Sequence, residues 1–299
     1  MRRCNAPESA LHLYTIIYQE NLTDGRSKYL DRSSFVGRQS VKQAWCLITL
    51  SLLVVACRHV SPTPQSNDTT RIASTNDVYN FPIKPGSPAW ADLQSHDEMI
   101  AVCQLPGEIL KEISTPGLVQ TVLNYPLLSD MYAFSAVQQG FDSVTANFNG
   151  LQELLKRDNA AKEIAKFYYV LSPEAATTQS IEEQGDYIFR IAHTEVILAQ
   201  YTVLEQLSAV ELKELANVAW QFWEAKKALP EIYGGLGRES TIFLLARVMQ
   251  KAGYAPFLQF LATDKDADYL VRELAPAQNE QDVATLQKIV EYAEQFVHR

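Results

Sequence analysis

From Ser95 to Arg299 the apolar residues recur at intervals of three and four and never alternate over a usable length, which restricts this part of the chain to helices. Start signals agree with the period. Ser95-His-Asp-Glu98, Ser180-Ile-Glu-Glu183 and Ser208-Ala-Val-Glu211 are capping boxes, in which a serine oxygen accepts from a free helix amide and the glutamate reaches back. Thr115-Pro116 reads as an N-cap with proline at the first helical position, and Pro126 closes that segment. From Met131 onward Phe134, Val137, Phe141, Val144 and Phe148 make one helical stripe. Ile188, Ile191, Ile197, Leu198 and Val203 follow the second box, and Leu212, Leu215, Ala219, Phe222 and Trp223 the third, as helices of roughly 20 to 25 residues. Tyr233 to Gly237 reads as a turn, Ser240 restarts a helix, and Asp282 to His298 forms the last. The expected fold class is all-α, an irregular multi-helix bundle. A short helical-repeat-like array is the weaker alternative, because no fixed repeat period emerges.

The residues ahead of this body carry an address. Ala44 to Ala56 are thirteen uncharged, mostly apolar residues, whereas a helix crossing the hydrocarbon core needs about 20. Arg38 and Lys42 precede the run, a small residue ends it, and a Pro/Ser/Thr-rich stretch follows, which is the order of a secretory signal peptide. The ending Val54-Val55-Ala56-Cys57 resembles the lipobox of bacterial lipoproteins. That resemblance covers about twenty residues and implies that residues 41–56 are a signal peptide, that Cys57 is the lipid attachment site, and that the protein is held by its acyl chains on the extracytoplasmic face of a bacterial cell membrane or outer membrane. Residues 57–94 then read as a flexible linker, with an ordered loop lying on the body near Tyr79 to Ile83 as the alternative, and 95–299 as the extracytoplasmic domain. A signal peptide normally begins within a few residues of the chain start. Residues 1–40 are therefore expected to be spurious or expendable, with Val41 as the alternative start, or else a disordered extension.

Composition limits the partners. Residues 46–299 carry a net charge of −12, so nucleic acid, which requires a basic patch, is not expected as a partner. Only Cys103 remains in the body once Cys4, Cys46 and Cys57 are assigned to the lead, the signal and the anchor; an intramolecular disulfide cannot form there, and stability must come from the core.

No catalytic constellation emerges. Asp264-Lys-Asp-Ala-Asp268 has the spacing of the first calcium-loop ligands but fails at Tyr269 and Ala275, leaving an N-cap and first helical turn. His193-Thr-Glu195 lacks the cysteine ligands of a zinc deaminase, and a helix-surface histidine is the better reading. Gly234-Gly-Leu-Gly237-Arg238 lacks Walker spacing and reads as a helix-to-helix turn. Glu182 and Asp186 share a helix face, as carboxylates do on any acidic helix. Frequent aromatics, among them Tyr125, Tyr168 and Tyr233, read as core, with a tyrosine-lined ligand groove as the alternative. The stretch from Glu98 to Tyr169, with Asn124-Tyr125-Pro126 and Phe148-Asn149-Gly150, resembles uncharacterised bacterial surface proteins and implies no activity. No metal and no cofactor are expected, and catalytic residues are unassigned. Two functions follow as expectations: a membrane-anchored module binding an envelope protein, peptide or glycan, or an envelope hydrolase of glycans or peptides working through carboxylates.

Overall fold

A computed structural model of the chain describes residues 77–299. The extension (1–40), the signal peptide (41–56), Cys57 and the first part of the linker lie outside the described residues. Within them the fold is all-α, without a strand. The described helices are α1 (Pro88–Ala91), α2 (His96–Val102), α3 (Gly107–Glu112), α4 (Thr115–Leu123), α5 (Val137–Asn147), α6 (Asn149–Lys156), α7 (Ala160–Tyr169), α8 (Ile181–Leu198), α9 (Tyr201–Leu204), α10 (Ala209–Lys227), α11 (Gly235–Lys251), α12 (Ala255–Thr263), α13 (Lys265–Glu273) and α14 (Glu280–Val297), with 3₁₀ turns at Leu128–Ala133 and Pro173–Thr178. None of them is long and apolar enough to cross a membrane.

The bundle is built around α11. Every residue from Ser240 to Met249 is buried, and α8, α10 and α14 pack against this helix from different sides. The second half of α8 is enclosed in the same way, from Ile191 through Leu198. A helix covered on all sides has no solvated face for its polar residues, so whatever charge it carries must be neutralised inside.

Arg247 of α11 is one such charge, with no surface accessible to water. Its guanidinium donates from Nε to the Val271 carbonyl (3.1 Å), from Nη1 to Ala199 (3.1 Å) and from Nη2 to Arg272 (2.6 Å). These carbonyls belong to the C-terminal ends of α13 and α8, where helix carbonyls lack intrahelical partners and the dipole favours a cation. The Tyr201 ring lies 4.6 Å from the guanidinium carbon. Arg157 repeats the device at the end of α3, donating to the carbonyls of Ile113 (2.7 Å) and Leu110 (3.2 Å).

The helix following Ser180 ends at Leu198, because the chain turns at Ala199 and Gln200 before α9; the released Ala199 carbonyl is the one Arg247 takes. The stripe beginning at Met131 does not form one helix either. Leu128–Ala133 is a 3₁₀ turn, Phe134 is extended, and α5 starts only at Val137, so Phe134 points out of the core and is 42 % exposed.

At its body end the segment expected as a linker over 57–94 takes the ordered-loop alternative. Phe81 is buried among core residues, with the Tyr125 ring 6.0 Å and the Phe148 ring 6.2 Å away. The Tyr79 amide donates to the Thr121 hydroxyl (2.9 Å), and the Asp77 carboxylate accepts from the Ser114 amide at the start of α4 (2.8 Å). Gly117 admits this strand of chain, since a Cβ there would collide with the Asp77 carbonyl. Residues 77–94 therefore belong to the folded body.

The start signals are present with small shifts. Ser180 with Glu183 and Ser208 with Glu211 form complete boxes, and Glu211 is held down to about 2, first by the Ser208 amide. At α2 the Ser95 oxygen caps Glu98 as expected, but the Glu98 carboxylate accepts from Gln94, one residue earlier. The cap of α4 is Ser114, which places Thr115 and Pro116 in its first turn.

Replacing Arg247 by lysine keeps the charge and removes the planar fork, so the carbonyls of α8 and α13 cannot all be satisfied. Urea denaturation should show a loss of about 2–4 kcal/mol; a loss below about 0.5 kcal/mol would mean that the fork does not hold these helix ends.

Candidate functional site

Two places concentrate polar chemistry. One is sealed inside the bundle and one opens to solvent, and they have different physical roles.

The sealed place centres on Glu195 of α8 and Lys226 of α10, neither with any exposed side-chain surface. The Lys226 ammonium lies 2.9 and 2.8 Å from the two carboxylate oxygens of Glu195, and also donates to the Gly237 carbonyl (2.8 Å) and the Thr241 hydroxyl (2.8 Å). Glu195 further accepts from the hydroxyls of Tyr168 (2.8 Å), Ser240 (2.5 Å) and Thr241 (2.9 Å). Burial pulls the Lys226 ammonium below its ordinary value and Glu195 opposes the shift. Burial, then the Glu195 charge, drives the Tyr168 hydroxyl well above its own. Both Glu195 oxygens and the ammonium protons are occupied by protein, and no solvent reaches them. This network joins α7, α8, α10 and α11 and offers nothing to a substrate.

His193, expected on a helix surface, is buried, because the second half of α8 is enclosed on every side. Its ring stacks on Tyr132 (5.4 Å between centroids) and meets Phe189 (5.7 Å). Burial, helped by Arg190, pulls it down to about 3, so it is neutral. The Ser129 hydroxyl lies 3.4 Å from its Nε2. An imidazole titrating so far below neutrality is a poor general base for that serine, since an effective base titrates near the working pH. Cys103 is likewise buried and its thiol is pushed up to about 11, which suits a packing residue better than a nucleophile.

The open place is a cleft of about 400 Å³ lined by Phe134 and Ser135, by Asp266, Tyr269 and Leu270 of α13, by Ala275, Pro276 and Gln278 of the α13–α14 connection, and by Asp282 of α14. The chain next to Ala275 turns at a strained residue. Leu274 ends α13 in the left-handed conformation (φ 48°, ψ 44°), which costs a non-glycine residue about 1–2 kcal/mol. Its side chain is fully buried, worth about 1.5–3 kcal/mol for a leucine, so the conformation is sustained. The Leu274 carbonyl then accepts from the Val137 amide (3.3 Å) and ties the end of α13 to the start of α5. Phe134 and Tyr269 stand 42 and 46 % exposed on the cleft walls.

Glu239 of α11 is half-buried and is not among the lining residues. Burial pushes its carboxyl up to about 7, the Ala277 amide and Arg238 oppose the rise, and Asp282 adds to it.

Asp264 is the N-cap of α13, its carboxylate accepting from the Ala267 amide (3.0 Å), with Asp266 and Asp268 in the first turn, as the calcium-loop failure suggested. Gly234 caps α11, which begins at Gly235, so the helix restarts five residues before Ser240. Glu182 and Asp186 are exposed on α8. Among the described residues no three His, Cys, Asp or Glu side chains could hold a metal ion together. Sequence reasoning missed Glu195 with Lys226, Arg247, Glu239 and the cleft. No family model, no curated protein and no solved structure matches the chain.

Glu239 generates a pH prediction. An unfolded glutamate titrates near about 4.3. Between there and about 7 the folded chain keeps a proton that the unfolded chain has lost, so stability falls as pH rises through this window and levels off above it. Glu239→Gln keeps the size and polarity of the side chain and cannot ionise, so at pH 8 it should be more stable than the parent by on the order of 2 kcal/mol, with the two converging near pH 4.5. Denaturant titrations at both pH values check this, and an equal difference at both would contradict it.

Proposed function

We propose that the chain is a lipid-anchored, extracytoplasmic helical protein that works by binding, an interaction module of a bacterial envelope. The basic flank at Arg38 and Lys42, the apolar run and the Val54-Val55-Ala56-Cys57 ending support the anchor at Cys57. The observation that carries the binding role is the contrast between the two polar places. The buried charges are consumed in holding helices together, whereas the cleft exposes two aromatic rings and the Asp266 carboxylate beside the half-buried Asp282, with no histidine or cysteine among its lining residues. Exposed aromatic surface in a concave site is the composition of a recognition surface.

A hydrolase of glycans or peptides is the alternative. It would need an acid and a base among carboxylates about 5–9.5 Å apart on the cleft wall. Glu239, the carboxyl whose acidity is weakened, is not among the residues lining that wall, which favours binding.

The anchor is tested by metabolic labelling with a palmitate analogue in the native cell. The parent should be labelled and sediment with membranes, and Cys57→Ala should lose both properties together. Label retained by Cys57→Ala, or an unlabelled parent, would remove the anchor and the compartment that follows from it.

A further inference from the structure

The cleft brings together side chains from three elements that share one electrostatic preference. Phe134 stands three residues before α5, Tyr269 and Asp266 come from α13, and Asp282 lies in the first turn of α14, where its Oδ2 accepts from the Gln278 amide (2.8 Å) and the Asn279 side chain (3.0 Å). Asp266 and Tyr269 are three residues apart and so stand on one face of α13. No lysine or arginine lines the cleft. Arg272, the cation of α13's last turn, is engaged with Asp268 (3.7 Å) and Glu273 (3.0 Å). An aromatic face attracts a cation through its quadrupole, and a carboxylate beside it adds direct charge attraction. Leu270, Ala275 and Pro276 supply an apolar surface for the methylene stem such a cation carries. The surrounding field has the same sign, since residues 77–299 contain seventeen Lys and Arg against thirty Asp and Glu, a net charge of −13, which raises the encounter rate with a basic partner.

We infer that the cleft binds an extended peptide segment of a partner protein by taking one lysine or arginine side chain, with an adjacent apolar residue, between Phe134 and Tyr269 under the carboxylates of Asp266 and Asp282. The volume of about 400 Å³ suits one long side chain and part of the next, and a docked helix would need a longer groove. This inference rests on the reading of the chain as a binding module and adds the chemistry of its partner.

The test uses the full-length chain and two fluorescein-labelled peptides, Gly-Leu-Arg-Leu-Gly and the same peptide with neutral citrulline for arginine. Fluorescence anisotropy should show the arginine peptide binding at least about tenfold more tightly, and weakening as salt rises. Tyr269→Ala and Asp266→Asn should each weaken it about five- to tenfold while leaving the thermal midpoint in place, and Glu182→Gln, on an exposed face elsewhere, should leave it unchanged. Equal binding of the two peptides, or insensitivity to both cleft substitutions, would overturn the inference. Agmatine, a guanidinium without a peptide backbone, binding as tightly as the arginine peptide would overturn the peptide class. Self-association lost in Tyr269→Ala without peptide binding would assign the cleft to a second copy of the chain instead. If the peptides fail while cross-linking on intact envelopes still captures a partner that Tyr269→Ala abolishes, the ligand class falls and the binding role stands.

Discussion

Glu195 and Lys226 form the contact on which the arrangement of the bundle depends. Two opposite charges taken wholly out of water incur a desolvation cost of several kcal/mol each, and their attraction repays it only when geometry is good and every remaining donor and acceptor is used. Here the requirement is met by hydroxyls from Tyr168, Ser240 and Thr241 and by the Gly237 carbonyl. Because these groups sit on four helices, the pair is satisfied in one mutual arrangement of α7, α8, α10 and α11. An apolar contact tolerates sliding; this network does not, since a shift of an ångström or two would leave a buried charge without a partner.

The same logic extends outward. Arg247 lies on the same central helix as Ser240 and Thr241, and it fixes the C-terminal ends of α8 and α13 through their carbonyls. The position of α13 is therefore set from the core, and α13 carries Asp266 and Tyr269 at the cleft. Leu274, held in a left-handed conformation by its buried side chain, turns the chain directly after α13, and its carbonyl meets α5. A buried polar framework thus positions an exposed aromatic and acidic surface, which is the division of labour expected of a binding module.

Much of the fold was readable from periodicity, and the exceptions have physical causes. The helices after Ser180 and Ser208 announce themselves by boxes that place the cap and its reciprocal partner at fixed spacing, and both boxes form. Phe134 fitted the apolar stripe of α5 but lies three residues before its first turn, because nothing in a three-or-four spacing distinguishes a helix from a 3₁₀ turn leading into one. The buried charges did leave a signal. Ile242 to Met249 is an apolar run interrupted by a single arginine, and Ile191 to Ala199 is one interrupted by His193, Thr194 and Glu195. A charge in a run with no polar face has to be buried and partnered, although its partner 31 residues away in the sequence cannot be read from spacing. The cleft left less, since Tyr269 follows a carboxylate-rich turn that accounts for itself as a helix start, and its companions Phe134 and Asp282 are distant in the chain.

The most direct measurement is a double-mutant cycle on the buried pair, with Glu195→Met, Lys226→Met and the combination compared by denaturant unfolding. Each single replacement leaves one charge buried and unpaired and should cost about 3–5 kcal/mol, while the double should cost much less than their sum, giving a coupling of at least about 2 kcal/mol. Single losses that simply add, with a coupling below about 0.5 kcal/mol, would show that the four helices are held by apolar packing alone and that the pair does not fix their arrangement.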